Sequence, residues 1–542
     1  MNHYLINALL LIILSSCTGH ALERDDRPNI VIIVADDLGY SDLGCFGSEI
    51  STPNIDALAA AGRIFTGFYT AATCSPTRAM LLAGVDNHQA GLGDMAERMV
   101  SVPEEWGQPG YEGYLNDRVI SFVKLIKEAG YRTYMTGKWH LGMTPDRSPM
   151  SNGFDKSFAL MDAYADHFYP DPEYTTFWEN DNYGSYPAGK FSTDFYTDKV
   201  LDFLKEDKKS DSPFFLYAAY TAPHWPLQAP DRYIQKYSDV YNDGYDKLRE
   251  RRFNGLKKKG LLSDKVTLPA LPSLKGNLYD ISDQPLAPWD SLNEKEQEIE
   301  AKKMEIYAAM VENLDYNIGR IISYLRKVRA FENTLFMFFS DNGASSLDAN
   351  EVHDPFNPLP YMGTAGSFVA YGPNWAHACS AVNRYYKGYS SEGGIHSPLI
   401  IKMPFQTTGL DVAPDFITVC DVAPTILELA ETTYPGIYKG RPLVPLQGQS
   451  MLPFLRGESR DIHDQDFVIG WELFGRAAVR QGPWKIVCIE PPFGTGSFEL
   501  FNLDTDPAES NNLADTYPEK LQEMVAHWNN YVQKNGVIWT EK

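Results

Sequence analysis

Four short polar clusters in this chain gather ligand-bearing side chains: Asp36-Asp37, Gly137-Lys138-Trp139-His140, Thr221-Ala222-Pro223-His224 and Ser340-Asp341-Asn342-Gly343. Asp36, Asp37, Asp341 and Asn342 offer three carboxylates and one amide oxygen. These are hard donors, suited to Ca²⁺ or Mg²⁺ and not to zinc. Adjacent acids at one strand end repel each other, and a divalent cation removes that cost. Each pair alone also reads as a helix cap or a plain turn; their joint occurrence at strand ends favours a metal. A fifth segment, Cys74-Ser75-Pro76-Thr77-Arg78, is followed by a helical run, Ala79 to Ala83. A cysteine at a helix start has a depressed pKa, although composition alone favours a plain helix N-terminus that happens to contain Cys, with Pro near its first position.

The elements that must position these residues follow from hydrophobic pattern. Ile30 to Ala35 is a short, continuous, β-branched apolar run that stops at Asp36-Asp37. Such a run reads as a strand buried on both faces, as in a parallel sheet. The pattern returns at Tyr131 to Thr136, Phe214 to Tyr220 and Leu335 to Phe339, each ending at one of the polar clusters. Pro398 to Ile401 and Phe467 to Ile469 are further candidates. Helical patterns lie between, over Arg118 to Ala129, Asp194 to Leu204 and, most clearly, Glu294 to Val328. In that last segment Met304, Tyr307, Val311, Leu314, Ile318, Ile321 and Leu325 form one apolar stripe. Alternating strands and helices predict an α/β fold with a large, mostly parallel sheet sandwiched by helices. Ligands of such sheets bind beyond the carboxyl ends of the strands, where the polar clusters lie. Residues 27–435 are expected to form this catalytic domain. Short strand-like pieces and a final helix from Pro518 to about Lys534 predict a smaller α+β domain over 440–542.

Composition narrows the partners. The chain has 542 residues, 44% apolar and 22% charged, with a formal net charge of -23. That charge disfavours nucleic acid and anionic membranes, and it requires a locally positive pocket for any anionic substrate. Residues 1–21 read as an export signal, with Leu5 to Leu14 long enough for a signal core and too short to span a bilayer. Leu14-Ser15-Ser16-Cys17 resembles a bacterial lipobox, and Gly19-His20-Ala21 an ordinary cleavage site. The expected location is the periplasm, or an outer membrane reached only through a lipid anchor on Cys17. Cys45, Cys379, Cys420 and Cys488 read as buried small apolar residues, with room for one bridge. Residues 229–292, including Lys257-Lys258-Lys259, read as polar surface.

Cys74-Ser75-Pro76-Thr77-Arg78 resembles the Cys-x-Pro-x-Arg signature of the formylglycine-dependent sulfatases, in the alkaline phosphatase superfamily. Gly137 to Gly142 resembles that family's second signature, and Asp36-Asp37 and Asp341-Asn342-Gly343 resemble its metal-binding segments. Glu392 to Pro398 resembles the segment that follows its active-site lysine, while Gly470 to Gly475 and Gln481 to Lys485 resemble the bacterial arylsulfatase branch. The resemblance spans residue 27 to the C-terminus.

It implies a hydrolase of sulfate monoesters whose Cys74 is converted by a maturase to formylglycine, hydrated to a geminal diol. A serine would hold its sulfate as a stable ester; the diol's second hydroxyl, once deprotonated, expels sulfate by C–O cleavage. One Ca²⁺ (Mg²⁺ less favoured) would be held by Asp36, Asp37, Asp341, Asn342 and residue 74. Arg78 would anchor the diol and Lys138 would bridge metal-side groups and sulfate. His140 would be the base, and His224 and Lys387 would serve the leaving group. Lys402 competes with Lys387, and His167, His377 and His396 are open between pocket, core and surface. Trp225, Trp289 and Trp375 are open between core and a surface for an aryl or sugar substrate. A phosphonate or phosphate monoester hydrolase, and a non-catalytic lipoprotein that binds sulfated glycan, are the alternatives.

Overall fold

A computed structural model describes residues 25–208, 210–271, 286–348, 357–406 and 411–539. The export signal lies outside the described residues. Among those described, no helix is long and apolar enough to cross a membrane.

Ten strands make the main sheet: β1 (Asn29–Ala35), β2 (Arg63–Tyr69), β3 (Arg132–Lys138), β4 (Lys156–Leu160), β5 (Phe177–Glu179), β6 (Asn182–Gly184), β7 (Phe214–Ala219), β8 (Thr334–Ser340), β9 (Leu399–Lys402) and β10 (Asp411–Thr418). Their order across the sheet is β10-β2-β9-β8-β1-β7-β3-β4-β5-β6. The centre is parallel, β8-β1-β7-β3-β4, and β9 is antiparallel to both its neighbours. β1 lies between two strands, and Ile30 through Ala35 are fully buried. That is why the run shows no alternation: side chains of both faces enter cores, each fully buried Ile or Val contributing about 1.5–3 kcal/mol. Helices cover both faces. Glu294–Lys327 begins in a capping box from Asn293 and Glu296 and presents the apolar stripe inward.

Several boundaries differ from the sequence reading. The helix expected from Arg118 begins at Phe122, where Ser121 Oγ accepts from Val123 N as the cap. Phe467 to Ile469 feeds a separate sheet and not the main one. That antiparallel sheet has four strands, Val468–Leu473, Arg476–Gln481, Trp484–Cys488 and Glu499–Asn502. Helix Pro518–Asn535 packs on it through Met524, Trp528 and Tyr531. The 229–292 segment contains an unforeseen helix, Gly244–Lys258, whose Leu248, Phe253 and Leu256 are buried. The five described cysteines are all free and buried, so no bridge joins them.

The C-terminal sheet docks through buried charge. His88, just past the Cys74 helix, meets Asp86 Oδ1 at 2.9 Å and Glu472 Oε2 at 3.2 Å, and Tyr531 donates to Asp86 Oδ2 at 2.8 Å. Burial pushes the His88 pKa down, but Asp86 and Glu472 outweigh it and hold it at about 10. A raised histidine stabilises fully below its unfolded value, near 6.5, and loses that contribution as pH rises through about 10. His88→Leu, which strands two carboxylates, should therefore cost roughly 3–5 kcal/mol at pH 7. Urea unfolding should show that loss, and the parent should weaken between pH 7 and 10 more steeply than the variant. Equal parent and variant midpoints at pH 7 would refute the role.

Candidate active site

The carboxyl ends of β1, β3, β7 and β8 and the start of helix Cys74–Ala83 meet at one buried point. Asp36 and Asp37 follow β1, and Asp341 and Asn342 follow β8; all four are at most 1% exposed. Asp37 adopts φ 65° and His140 φ 56°. This left-handed backbone costs a non-glycine residue about 1–3 kcal/mol, and such residues cluster where function needs a side chain re-aimed. Gly137, at φ 98°, precedes Lys138 because a Cβ there would lie 1.8 Å from Ala219 O. Gly343 is as tightly constrained: its Cβ would sit 1.8 Å from Gly393 O.

Each carboxylate spends one oxygen on a protein cation. Lys138 Nζ donates to Asp36 Oδ2 (2.7 Å), Lys387 Nζ to Asp37 Oδ1 (2.6 Å) and Arg78 to Asp341 Oδ2 (2.6 Å from Nη2, 3.1 Å from Nε). Arg78 also donates to Lys138 O at 2.9 Å. Burial opposes the charge of Arg78, Lys138 and Lys387, but the facing carboxylates win and raise all three pKa values. For Asp341 burial prevails and raises the carboxyl, Asp36 adding to it against Arg78.

The remaining oxygens test whether a cation fits. Asp36 Oδ1, Asp37 Oδ2 and Asn342 Oδ1 are buried and have no hydrogen-bond partner among the described residues. Asn342 Nδ2 is committed to Asp37 Oδ1 (2.7 Å) and Gly343 O (2.8 Å), so the amide turns its oxygen the other way. Ligand atoms of Asp36, Cys74 and Asp341 lie within 4.8 Å of one another, as do those of Asp36, Asp37 and His224. Orphaned buried acceptors need an explanation, and a hard divalent cation supplies one for all three.

Cys74 is the first residue of its helix and 2% exposed. Its Sγ lies 3.6 Å from His140 Nδ1. Burial pushes the thiol up, but Lys138, Lys387 and His140 outweigh it and lower its pKa. His140 Nε2 meets Glu97 Oε2 at 3.2 Å. Against burial, Glu97 and Cys74 raise His140 to about 9, while His140 and Lys138 lower Glu97 to about 2. Glu97 is a site residue that sequence reasoning missed: it stands on a four-residue helical turn, Ala96–Met99, away from every strand end.

His224 turns Nε2 toward Asp37 Oδ2 at 3.5 Å, while Nδ1 faces Trp225 O at 2.5 Å. Burial first, then Lys387 and Lys138, push its pKa well down. A carbonyl only accepts, so Nδ1 carries the proton of the neutral ring and Nε2 presents a lone pair to the centre. Lys402 is remote, donating to Phe331 O, Glu332 O and Thr334 O at the opposite end of β8. His167 is buried against Ser192 and His224 O, His396 is held by Thr66 O, and His377 is buried beside Tyr386. Trp289 and Trp375 join Tyr245 in the core, whereas Trp225 lies half-buried beside His224.

Comparison with known proteins places the chain in a family. The Sulfatase family model matches residues 28–432, and the model for the N-sulphoglucosamine sulphohydrolase C-terminal region matches 383–535. An uncharacterized sulfatase of Schizosaccharomyces pombe is 43% identical, with 94% of each chain covered. An arylsulfatase of Klebsiella aerogenes is 35% identical over 80% of this chain and 93% of its own. The crystal structure of Ps i-CgsB in complex with k-i-k-neocarrahexaose superposes with a TM-score of 0.68 at 23% identity, covering 95% of both chains, a likeness of fold.

Proposed function

Because this chain belongs to the sulfatase family and is a sulfuric ester hydrolase, we propose that it cleaves sulfate monoesters at residue 74, with formylglycine in place of the Cys74 thiol and a calcium ion beside it. The observation that carries this reading is the meeting of Cys74 with three cationic side chains and three orphaned acceptor oxygens at one buried point. Formylglycine supplies a hydrated carbonyl as nucleophile, and the cation, on Asp36, Asp37, Asp341, Asn342 and residue 74, neutralises sulfate charge.

The chain's own residues do the rest. Arg78 stays charged against Asp341 and holds the floor of the pocket through Lys138 O. Lys138 and Lys387 present ammonium groups to the anion. Each such positive contact is worth on the order of 3 kcal/mol of transition-state stabilisation. His140 lies 3.6 Å from residue 74 and Glu97 holds it as an imidazolium, so it must first give up a proton before it can take one from residue 74. His224 and Lys387 stand on the leaving-group side. Lys387 is already charged; His224 must gain a proton at Nε2 before it can donate one. The apolar N-terminal run supports export to the periplasm, with Cys17 as a candidate lipid anchor, and the Cys-x-Pro-x-Arg segment supports a maturase as partner.

Mass spectrometry and kinetics test the reading together. After expression with a maturase, the peptide carrying residue 74 should lie about 18 Da below its cysteine form, the mass change that makes the aldehyde. That protein should cleave aryl sulfates far faster than aryl phosphates or phosphonates. An unmodified thiol in active protein, or the reverse preference, would overturn it.

A further inference from the structure

A cavity of about 330 Å³ lies where the catalytic domain meets the C-terminal sheet. Its lining shares no residue with the charged pocket around residue 74. Arg249 comes to it from helix Gly244–Lys258 and His377 from helix Gly372–Ser380. Arg384 comes from the segment that leads to Lys387, and Glu499 and Phe501 from the last strand of the C-terminal sheet. At a water's share of liquid volume, the space equals roughly ten waters.

This lining has donors to spare. Arg249 is 7% exposed and is fixed by two carbonyls, Nε donating to Ala381 O at 3.0 Å and Nη1 to Pro269 O at 2.9 Å. Among the described residues its Nη2 has no hydrogen bond and its guanidinium no ion pair. Burial lowers its pKa to about 10, with Asp246 working against the shift. An arginine is seldom buried without a carboxylate beside it. Arg384 donates from Nη2 to Glu499 Oε2 at 3.1 Å, while its Nη1 is buried with no partner among the described residues. His377 Nε2 is buried and unpartnered in the same sense. Burial, and after it Arg249, pushes the His377 pKa down to about 3, so the ring is neutral and one tautomer puts a proton on Nε2. Asn512 commits Oδ1 to Leu500 N and Ala514 N, both at 3.0 Å, and its Nδ2 donors are left over among the described residues.

We infer that this cavity is a second ligand site and that it takes a small hydroxylated monocarboxylate. The charges around it fix the single negative charge. Arg384 is balanced by Glu499, and Lys485 lies between Glu392 Oε1 (2.7 Å) and Glu509 Oε1 (2.8 Å), which leaves Arg249 without a counter-charge. Water can satisfy spare donors, but no neutral molecule cancels that charge. A carboxylate does, and its two oxygens suit the free edges of Arg249 and Arg384. A second negative charge would meet Glu499 and Glu509. The hydroxyl finds an acceptor in the other oxygen of Glu499 and a donor in Asn512. Leu271, Phe501 and Ala508 supply apolar surface for a short carbon skeleton. Because Arg249 is held before any ligand arrives, little ordering cost falls on binding. The site does not depend on the chemistry at residue 74.

Calorimetry on the full-length chain, with 2-hydroxybutyrate as the probe, tests this. One molecule should bind per chain with a Kd on the order of 1 mM or below. The uncharged methyl ester should bind about tenfold more weakly or worse, the scale of a charge-assisted contact. Arg249→Gln should weaken the acid by a similar factor. Ser510→Trp places bulk at an exposed position of the lining, carries little risk to folding, and should weaken the acid as much. Affinity should be the same with calcium or with chelator present, since no lining residue is a proposed cation ligand. A crystal soaked in the acid should show it against Arg249. Equal affinity for acid and ester, affinity unmoved in both variants, binding that disappears in chelator, or occupancy in the crystal without binding in solution would overturn the site.

Discussion

Cys74→Ser is expected to lower steady-state sulfate release by a factor on the order of 10³ or more, while the protein folds and retains up to one sulfate per chain. The site explains both halves. Residue 74 opens the helix Cys74–Ala83 beside Lys138, Lys387 and His140, so a serine hydroxyl there meets the same cations and the same base. It can attack sulfur once. It has no second hydroxyl on its carbon, so release requires water to reach a crowded sulfur. Intact-mass measurement after exposure to an aryl sulfate should show an adduct of about 80 Da, the mass of a transferred sulfo group. Cys74→Ala should show neither turnover nor adduct. Parental turnover in either variant would remove residue 74 from the nucleophile's role.

Stripping divalent cations should reduce turnover by roughly 10²- to 10³-fold, with Ca²⁺ restoring it more fully than Mg²⁺. The fold itself should survive. Asp36, Asp37 and Asp341 each already face a protein cation, so removal of the ion leaves no isolated carboxylate charge in the interior. The loss of stability should follow mass action and vanish at low calcium, where little ion was bound to begin with. Chelation followed by calcium titration, with melting and activity read in parallel, measures both. Full activity in chelator would end the cation's part in the chemistry. Unfolding in chelator would show that Lys138, Arg78 and Lys387 do not suffice to hold the carboxylates.

The site was legible where a polar cluster follows a strand buried on both faces. The run ending at Ala35 has no alternation to blur it, and Asp36-Asp37 stands at its end by necessity. The edge of the sheet was not legible for the opposite reason. β10 carries Pro414 and a register shift between Ala413 and Phe416, and β2 mixes Arg63 and Thr66 into its apolar residues. Proline is tolerated at an edge or a bulge and spoils the pattern by which a strand is recognised. Glu97 left no signal, because its partner His140 lies 43 positions away and no period links them. The tryptophans show the same limit. Trp225 and Trp375 carry the same side chain, yet one stands at the pocket rim and the other in the core; only tertiary packing separates them.

The 2% exposure of residue 74 also sets a sequence of events in the life of the chain. Another protein's active site cannot reach a thiol enclosed by Lys138, His140 and the end of the sheet. On the proposed function, oxidation of that sulfur would therefore come while the segment is still an open length of polypeptide, before the chain folds. Chains that closed with the thiol intact would, on that function, be sealed as inactive copies. The specific activity of a preparation would then record the outcome of a race between modification and folding, and late addition of the modifying enzyme to folded protein would not change it.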